Sequence, residues 1–504
     1  MGVARSTSTR CEGKVDGRPA TFYYHRDEEE DRGLRYAFGI DLGPDNFTTR
    51  EDADYIPAQN IIAVLPAQTA LHDDYVVLFV EEHRTPSGAD EEDSTYALPV
   101  VRSMAATSLP SGLVEDFAPS ALSCWSTCSG DSSEDISLHV IVSSGSGARL
   151  AERFYVSAVK QVLGHVGLQQ DTQYMVHYTQ SESTITDLVY STILPKANEG
   201  VSQAIILLSG DGGVVDVVNA LMSGTRSERY VKPNIAILPF GTGNALAHSL
   251  KITTDKTMGL STMLRGHRHN LPIFQATFSP GARLLVNQGR DEQDLHRDQA
   301  QGGAPTVFGA VVCSWGLHAG LVADSDTAEY RKFGAERFQM AAKEALFPTD
   351  GSTPHAYKGT VSILRRNSSR GAQSQDGAAE EWHGLERSEH AYVLATLVSD
   401  LEKGFTVSPA SEPLDGKLRL VQFAPQEGDE VMRIMGLAYQ GGKHVEEDAV
   451  GYEEIEGLRI RFEEEDARWS RVCVDGKIVR VERDGWVVVR KVVEEVVDVV
   501  CMAV

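Results

Sequence analysis

The sequence has few cysteines for its length. Only 6 of the 504 residues are cysteine, and Cys124 and Cys128 form the one close pair. No second pair and no histidine cluster accompanies them, which argues against a zinc site of the usual spacing. We therefore expect reduced thiols, as in an intracellular protein.

Positive charge is also in deficit. Lysine and arginine number 47 against 72 aspartates and glutamates, so the net charge is −25. This balance argues against a nucleic-acid partner, which needs a basic surface to displace counterions. No apolar run is long enough to span a bilayer, and the start lacks the apolar segment of a secretory signal. Together these features predict a cytoplasmic protein, with peripheral membrane association left open.

The length and a hydrophobic content of 41% predict about three domains. Residues 1–135 predict a β-rich leader and linker. Over 136–270, strand and helix patterns alternate, which predicts a parallel α/β sheet with helices on both faces. Over 271–490, short strands such as 307–316 predict a mostly antiparallel sandwich or half-barrel. We expect a C-terminal tail over 491–504, and disorder in the polar insertions 287–306 and 365–390.

Three predicted strands of the α/β segment end in small-residue loops. The carboxyl ends of parallel strands meet at one sheet edge, so these loops should lie together. Glycine lets backbone N–H groups approach an anion, and a following helix N-terminus adds partial positive charge. The pattern favours a polyphosphate site, although tight strand–helix packing also explains a single such loop. The site residues are Ser143, Ser144, Gly145, Ser146, Gly147, Ser209, Gly210, Gly212, Gly213, Gly241, Thr242, Gly243 and Asn244.

One acid, Asp211, stands in the middle loop. A carboxylate that only packed there would repel an anionic ligand. As a base, it has a use, because phosphoryl transfer needs a group that accepts the proton of the attacking hydroxyl. The alternative interpretation is a helix N-cap.

Four segments resemble the signatures of diacylglycerol-kinase-type lipid kinases, in the form typical of sphingosine kinases. The first two are "SGDGGVVDVVNAL" (Ser209–Leu221) and "LPFGTGNALAHSL" (Leu238–Leu250). The others are "WGLHAGLVADSDTAEYRKFGAERF" (Trp315–Phe338) and "VDGKIV" (Val474–Val479). They follow the family's order and extend the resemblance over about residues 136–489.

This resemblance implies an ATP-dependent kinase that phosphorylates the primary hydroxyl of a sphingoid base at a membrane surface, with Mg²⁺ bridging the phosphates. It implies Asp211 as the base and Asp216 as a metal ligand, with Asp324 or its neighbour Asp326 binding the amino-alcohol head group. Asp216 has an alternative as a solvated acid in a first helical turn. Further implied nucleotide contacts are Thr179, Arg331, Arg337, Asp475, Gly476 and Lys477. The open alternatives are a plain ST-turn for Thr179, a surface ion pair for either arginine and a helix cap for Asp324.

Other functions remain open at this point. A kinase of the same fold acting on diacylglycerol, ceramide or NAD would keep Asp211 but change the acceptor pocket. A non-catalytic lipid- or nucleotide-binding protein is the other alternative, because three positions depart from the family pattern. Ser143 and Ser144 replace its Asn-Pro, and Lys477 replaces its glutamate.

Two further features concern the chain's conformation and its anchoring. A bend at Gly334 would help Arg331 and Arg337 to reach one cleft, and Asn219 should brace its loop. The start "MGVARS" fits N-myristoylation at Gly2, which needs a second signal such as palmitoylation of Cys11. The end "CMAV" has the outline of a prenylation box, although a final apolar strand or helix is the alternative.

Overall fold

The computed structural model describes residues 9–26, 32–38, 54–67, 74–81, 98–120, 136–298, 303–327, 329–334, 336–366 and 381–502. Gly2, Cys124, Cys128 and Val504 lie outside these ranges. Within them, no helix has the length and apolar character needed to cross a bilayer.

The leader forms one antiparallel seven-stranded sheet in the order β4-β3-β2-β1-β7-β6-β5. Aromatic and aliphatic side chains from β2 and α1 fill one part of its core, among them Phe22 and Leu113. Side chains from β5 and β6, such as Ile62 and Leu78, pack in one cluster with Phe154 of the next region. The elements are β1 (Thr9–Val15), β2 (Arg18–His25), β3 (Gly33–Phe38), β4 (Asp54–Pro57), β5 (Ile61–Pro66), β6 (Asp74–Glu81), β7 (Val100–Thr107) and α1 (Ser111–Phe117).

A six-stranded sheet follows, in the order β12-β31-β11-β10-β8-β9. Strands β8 to β11 are parallel, as the alternating pattern predicts. Single π-helical turns, Tyr155–Val159 and Val189–Ile193, join α2 to α3 and α4 to α5. The elements are β8 (Ser137–Val142), α2 (Ala151–Phe154), α3 (Lys160–His165), β9 (Tyr174–Tyr178), α4 (Thr184–Leu188), α5 (Leu194–Asn198), β10 (Gln203–Ser209), α6 (Asp211–Ser223), β11 (Asn234–Pro239), α7 (Ala245–Ser249), α8 (Leu260–Arg265) and β12 (His267–Asn270).

Two antiparallel eight-stranded sheets face each other across a core that includes Phe274, Trp315 and Phe462. The elements up to residue 364 are β13 (Ile273–Phe278), β14 (Arg283–Val286), β15 (Asp291–Asp294), β16 (Arg297–Asp298), β17 (Ala304–Gly309), β18 (Val312–Gly316), α9 (Leu317–Ser325), α10 (Glu336–Leu346) and β19 (Tyr357–Leu364). Those beyond it are β20 (Trp382–Gly384), β21 (Glu389–His390), β22 (Tyr392–Thr396), β23 (Asp400–Glu402), β24 (Phe405–Thr406), β25 (Leu418–Phe423), α11 (Gly428–Ala438), β26 (Val450–Ile455), β27 (Gly457–Phe462), β28 (Arg471–Val474), β29 (Lys477–Arg480), β30 (Trp486–Val492) and β31 (Asp498–Cys501).

Several sequence predictions for this region are wrong in detail. The single strand expected over 307–316 is two strands, β17 and β18, which belong to different sheets. The disorder expected in the polar insertions does not extend to β15 or β20, which pair with β14 and β19. Residues 299–302 and 367–380 lie outside the described ranges.

The prediction of a tail over 491–504 is wrong for β31. This strand lies between β11 and β12, parallel to the first and antiparallel to the second. Its side chains Val499, Val500 and Cys501 are buried. The chain end therefore completes the α/β sheet rather than extending from the sandwich.

Deleting residues 498–504 should destabilise the protein strongly. The deletion removes a sheet strand and two buried valines, each worth roughly 1.5–3 kcal/mol of burial. We expect a loss on the order of 3–6 kcal/mol in the free energy of unfolding, measured by urea denaturation. A chain ending at Met502 keeps β31 and should match the full protein. Equal stability of the longer deletion would contradict this role of β31.

Candidate active site

The three small-residue loops meet through one hydrogen bond and two close approaches that require glycine. The Gly210 N–H donates to Ser146 Oγ at 3.2 Å, which joins the first loop to the second. A Cβ on Gly241 would lie 2.3 Å from the Gly210 Cα, so the second and third loops touch backbone to backbone. Gly147 has φ +49°, and a Cβ there would lie 2.5 Å from the Phe240 carbonyl oxygen. Side chains at these positions would force the loops apart.

Other glycines of the same loops are not needed for internal packing. A Cβ on Gly145 or Gly212 would meet nothing within 4 Å, and on Gly243 it would meet one carbonyl oxygen at 3.5 Å. Gly145 and Gly212 are also exposed. The open space at these positions leaves the backbone accessible to a ligand, as an anion-binding loop requires.

Side-chain hydrogen bonds hold the loops in shape. Thr179 accepts the Ser144 N–H on its Oγ1 at 3.0 Å. Asn244, with φ +53°, accepts the Gly241 N–H at 2.7 Å and donates to the Gly241 carbonyl at 2.9 Å. Thr179 and Asn244 thus serve as braces. The remaining predicted residues lie in the same loops, with Ser143 half-buried, Ser209 and Gly213 buried, and Thr242 exposed.

Asp211 joins the second loop to the helix after the third. Its carboxylate accepts the N–H groups of Ala245 at 2.7 Å and Leu246 at 3.0 Å. Burial raises the pKa of this carboxyl group above its usual value, while the two amides act in the opposite direction. Asp211 therefore caps α7, as the alternative interpretation allows, and its raised pKa also suits a proton acceptor.

The predicted metal ligand Asp216 is paired with a lysine. Its Oδ1 lies 2.6 Å from Lys477 Nζ, and both side chains are partly exposed. The described part of the chain contains no group of three acids, histidines or cysteines placed to hold a metal. Asp216 is therefore paired with a cation of the chain itself, and its role as a metal ligand stays a prediction.

Asp475 lies in the turn between β28 and β29, and its side chain anchors this turn to a neighbouring part of the backbone. This residue and Gly476 have positive φ angles of 48° and 87°. The buried Asp475 carboxylate accepts the N–H groups of Ala310 at 2.6 Å, Val311 at 3.1 Å and Val312 at 2.5 Å. Burial raises the pKa of Asp475 to about 7, against the effect of these amides. The carboxylate stabilises the connection from β17 to β18. Because its oxygens are used there, only the backbone of this turn or Lys477 is available to contact a nucleotide.

The sequence predicts that Asn219 braces its loop, but its side chain instead joins α6 to a strand of another sheet. Its side chain donates to the Phe308 carbonyl at 2.8 Å and accepts the Phe308 N–H at 3.0 Å. These bonds fasten the helix that begins at Asp211 to strand β17 of the sandwich.

The two predicted phosphate-binding arginines flank the expected bend. Gly334 has φ +55° and separates the 3₁₀ turn Tyr330–Phe333, which contains Arg331, from α10. Arg337 on α10 lies 3.5 Å from Asp326. A lipid amine that approached Asp326 would therefore compete with Arg337 for its carboxylate.

Asp324 is also paired with cations. Its carboxylate accepts from Arg471 at 2.7 Å and from Arg468 at 3.0 Å. Although burial alone would raise the pKa of Asp324, the two arginines hold it below its usual value. Sequence reasoning missed these partners, and the only available signal was two arginines three residues apart just before the "VDGKIV" segment.

The structure also bears on the lipidation sites. Cys501 is buried in β31, which excludes the prenylation-box interpretation of the folded chain. Cys11 is half-buried, lies 2.6 Å from the Ser108 carbonyl oxygen, and has a pKa raised by burial to about 11. Neither thiol is poised as a nucleophile, and the Gly2 prediction lies outside the described residues.

The comparisons with known proteins agree with the resemblance. The diacylglycerol kinase catalytic domain matches residues 137–276. Sphingosine kinase 1 of Homo sapiens is 22% identical over 68% of this chain and 85% of its own length. Sphingosine kinase 2 of Homo sapiens is 27% identical over 32% of this chain, and that of Arabidopsis thaliana is 24% identical over 42%.

The extent of these matches differs among the relatives. The matched segments span only 21% of the human and 37% of the Arabidopsis sphingosine kinase 2. The crystal structure of a diacylglycerol kinase from Bacillus anthracis str. Sterne has a TM-score of 0.42 and 10% identity, over 74% of this chain and 98% of that chain. The domain match and the sphingosine kinase relatives together show that this chain is similar to the lipid kinases with a diacylglycerol kinase catalytic domain, and among them most like the sphingosine kinases.

Proposed function

We propose that this protein transfers the γ-phosphate of ATP to the primary hydroxyl of a lipid. The observation that carries the proposal is the place of Asp211, at the junction of loops whose open glycines leave backbone accessible to phosphates. In the proposed step the lipid hydroxyl oxygen attacks the γ-phosphorus, and the bond to the β–γ bridging oxygen breaks. ADP leaves with that electron pair, and the hydroxyl proton passes to Asp211.

The first acceptor class to consider is a sphingoid base, by analogy with the named activity of the curated relatives. A protonated amine near the hydroxyl would then need an acid close by. Asp324 is the candidate, but an amine would compete there with Arg468 and Arg471.

This pairing favours a second candidate, a neutral lipid hydroxyl. One carboxylate and two guanidinium groups carry a net positive charge, which disfavours an approaching ammonium. A neutral acceptor such as a diacylglycerol or a ceramide meets no such repulsion. Radiolabelled phosphate transfer from ATP to sphinganine, ceramide and diacylglycerol tests the proposal, and no transfer to any lipid would overturn it.

A matched pair of glycine variants tests the nucleotide site. Gly241→Ala places a Cβ against Gly210 and should lower thermal stability, because the two loops must separate. Gly212→Ala meets no protein atom and lies in α6, where alanine is favoured by up to about 1 kcal/mol. It should keep or raise the melting temperature and yet weaken ATP binding severalfold. Unchanged ATP affinity in Gly212→Ala would show that no phosphate approaches this backbone.

A further inference from the structure

The pair of Lys477 and Asp216 lies along α6, with 29% and 20% of the two side chains exposed. Asp216 follows Gly212 by four residues and Gly213 by three, so it shares a helix face with the start of the helix. Gly212 on this face is exposed and has open space at its missing Cβ. The Lys477 ammonium, 2.6 Å from Asp216, therefore lies about one helical turn from the loop proposed to hold phosphates.

A series of hydrogen bonds and one ion pair fixes the position of Lys477 relative to α6. Asn219 ties α6 to Phe308 on β17. Asp475 binds the amides of Ala310 to Val312, just after β17, and directly precedes Gly476 and Lys477. Lys477 in turn forms an ion pair with Asp216 on α6, the helix from which this series of contacts began. The ammonium is therefore held by the same helix that begins with Asp211.

We propose that Lys477 is a built-in cation of the nucleotide site, which contacts the terminal phosphates, and that Asp216 is the residue that positions it rather than a metal ligand. This inference rests on the nucleotide site of the proposed function. The side chain of Lys477 keeps donors beyond the one used by Asp216, because an ammonium has three N–H groups. It can therefore bind a phosphate oxygen while it remains paired.

Consequently, part of the charge neutralisation of the phosphates comes from the chain itself. The nucleotide should then bind measurably without a divalent cation. A carboxylate at position 477, as in the family pattern, would repel metal-free phosphates and make binding depend on the cation.

Binding of ATP to the full chain tests this proposal, measured by calorimetry with EDTA and with excess Mg²⁺. Lys477→Met should weaken metal-free ATP binding by about tenfold to a hundredfold, the usual effect of losing a charged hydrogen bond. Lys477→Arg should remain within a few fold of the wild type. Lys477→Glu should bind ATP only with Mg²⁺. Asp216→Asn should weaken metal-free ATP binding by less than Lys477→Met does and should keep the gain in affinity from Mg²⁺, because a positioning residue is lost and no metal ligand is.

Lys491→Met is the matched control. Lys491 is similarly exposed and also paired with an acid, Glu456, at 2.8 Å, so its loss controls for a general change in charge. Wild-type metal-free affinity in Lys477→Met, an equal loss in Lys491→Met, or a collapse of the Mg²⁺ effect in Asp216→Asn would overturn the inference. If ATP binds as expected but no lipid is phosphorylated, the proposed function fails and this inference stands. If lipid is phosphorylated and Lys477→Met binds normally, only this inference fails.

Discussion

Asp211→Asn is expected to lower lipid phosphorylation by a factor of about one hundred to ten thousand, the range typical for loss of a general base. The amide keeps the size of the carboxylate but cannot accept the hydroxyl proton. ATP affinity should stay equal or improve, because the change removes a negative charge and no phosphate donor. Single-turnover transfer from radiolabelled ATP measures the first effect, and calorimetry measures the second.

The structural role of Asp211 needs its own control. In the Asp211→Asn variant, one of the two amides of α7 would face an NH₂ group, at a cost of roughly 1–3 kcal/mol in stability. Asp255 is a comparable half-buried carboxylate that accepts a backbone N–H, from Thr257 at 2.8 Å, and its pKa is also raised by burial. Asp255→Asn should therefore lower stability without a matching loss in turnover. Near-wild-type turnover in Asp211→Asn would show that this carboxylate is only a helix cap.

The pH dependence gives a second view of the same group. Burial raises the pKa of Asp211 above that of an ordinary aspartate. A base acts in its deprotonated form, so kcat/KM should rise as pH increases through this raised pKa. The acidic limb of the profile should therefore lie at higher pH than an exposed aspartate would give.

The loops of the site could be predicted from the sequence because their determinants are local. Apolar runs that end in Gly-rich turns and continue as amphipathic patterns specify strand, loop and helix within a short stretch of chain. Parallel strands then bring all three loops to one edge. The contact of Gly210 with Gly241 follows from that shared edge, and the bend at Gly334 follows from local chemistry.

Contacts between distant segments could not be predicted in this way. The break between β17 and β18 is hidden in one apolar run, and it depends on Asp475, which lies 164 residues from Val311 along the chain. Likewise, the valines of β31 would suit a buried position in any sheet of the protein. The sequence does not show that this strand pairs with β11. The cationic partners of Asp216 and Asp324 come from the β28–β29 region. The ion pairs of these two acids could therefore not be predicted from their neighbours in sequence.

Asp324→Asn is expected to lower the ratio of sphinganine to diacylglycerol efficiency by no more than about fivefold, because its carboxylate already pairs with Arg468 and Arg471 and the change adds only one positive charge, worth about 1 kcal/mol. A different result follows if Asp324 binds the protonated amine. A charged hydrogen bond of roughly 1.5–3 kcal/mol would then be lost, and sphinganine use alone would fall on the order of ten- to a hundredfold. The kcat/KM values on both lipids decide between these outcomes, and a selective loss in Asp326→Asn would move the amine site to that acid.

Arg468→Met separates charge from structure at the same place. Arg468 is largely exposed and stacks over Trp469, so its loss should disturb the fold little. Removing one positive charge should raise the ratio of sphinganine to diacylglycerol efficiency by about fivefold, since like charges about 4 Å apart repel by about 1 kcal/mol in water-like surroundings. Arg459, exposed and stacked over Trp382, provides the control Arg459→Met, for which the ratio should not change. A ratio that falls in Arg468→Met would mean that this arginine helps to place the amino-alcohol, and the preference for a neutral acceptor would lose its electrostatic basis.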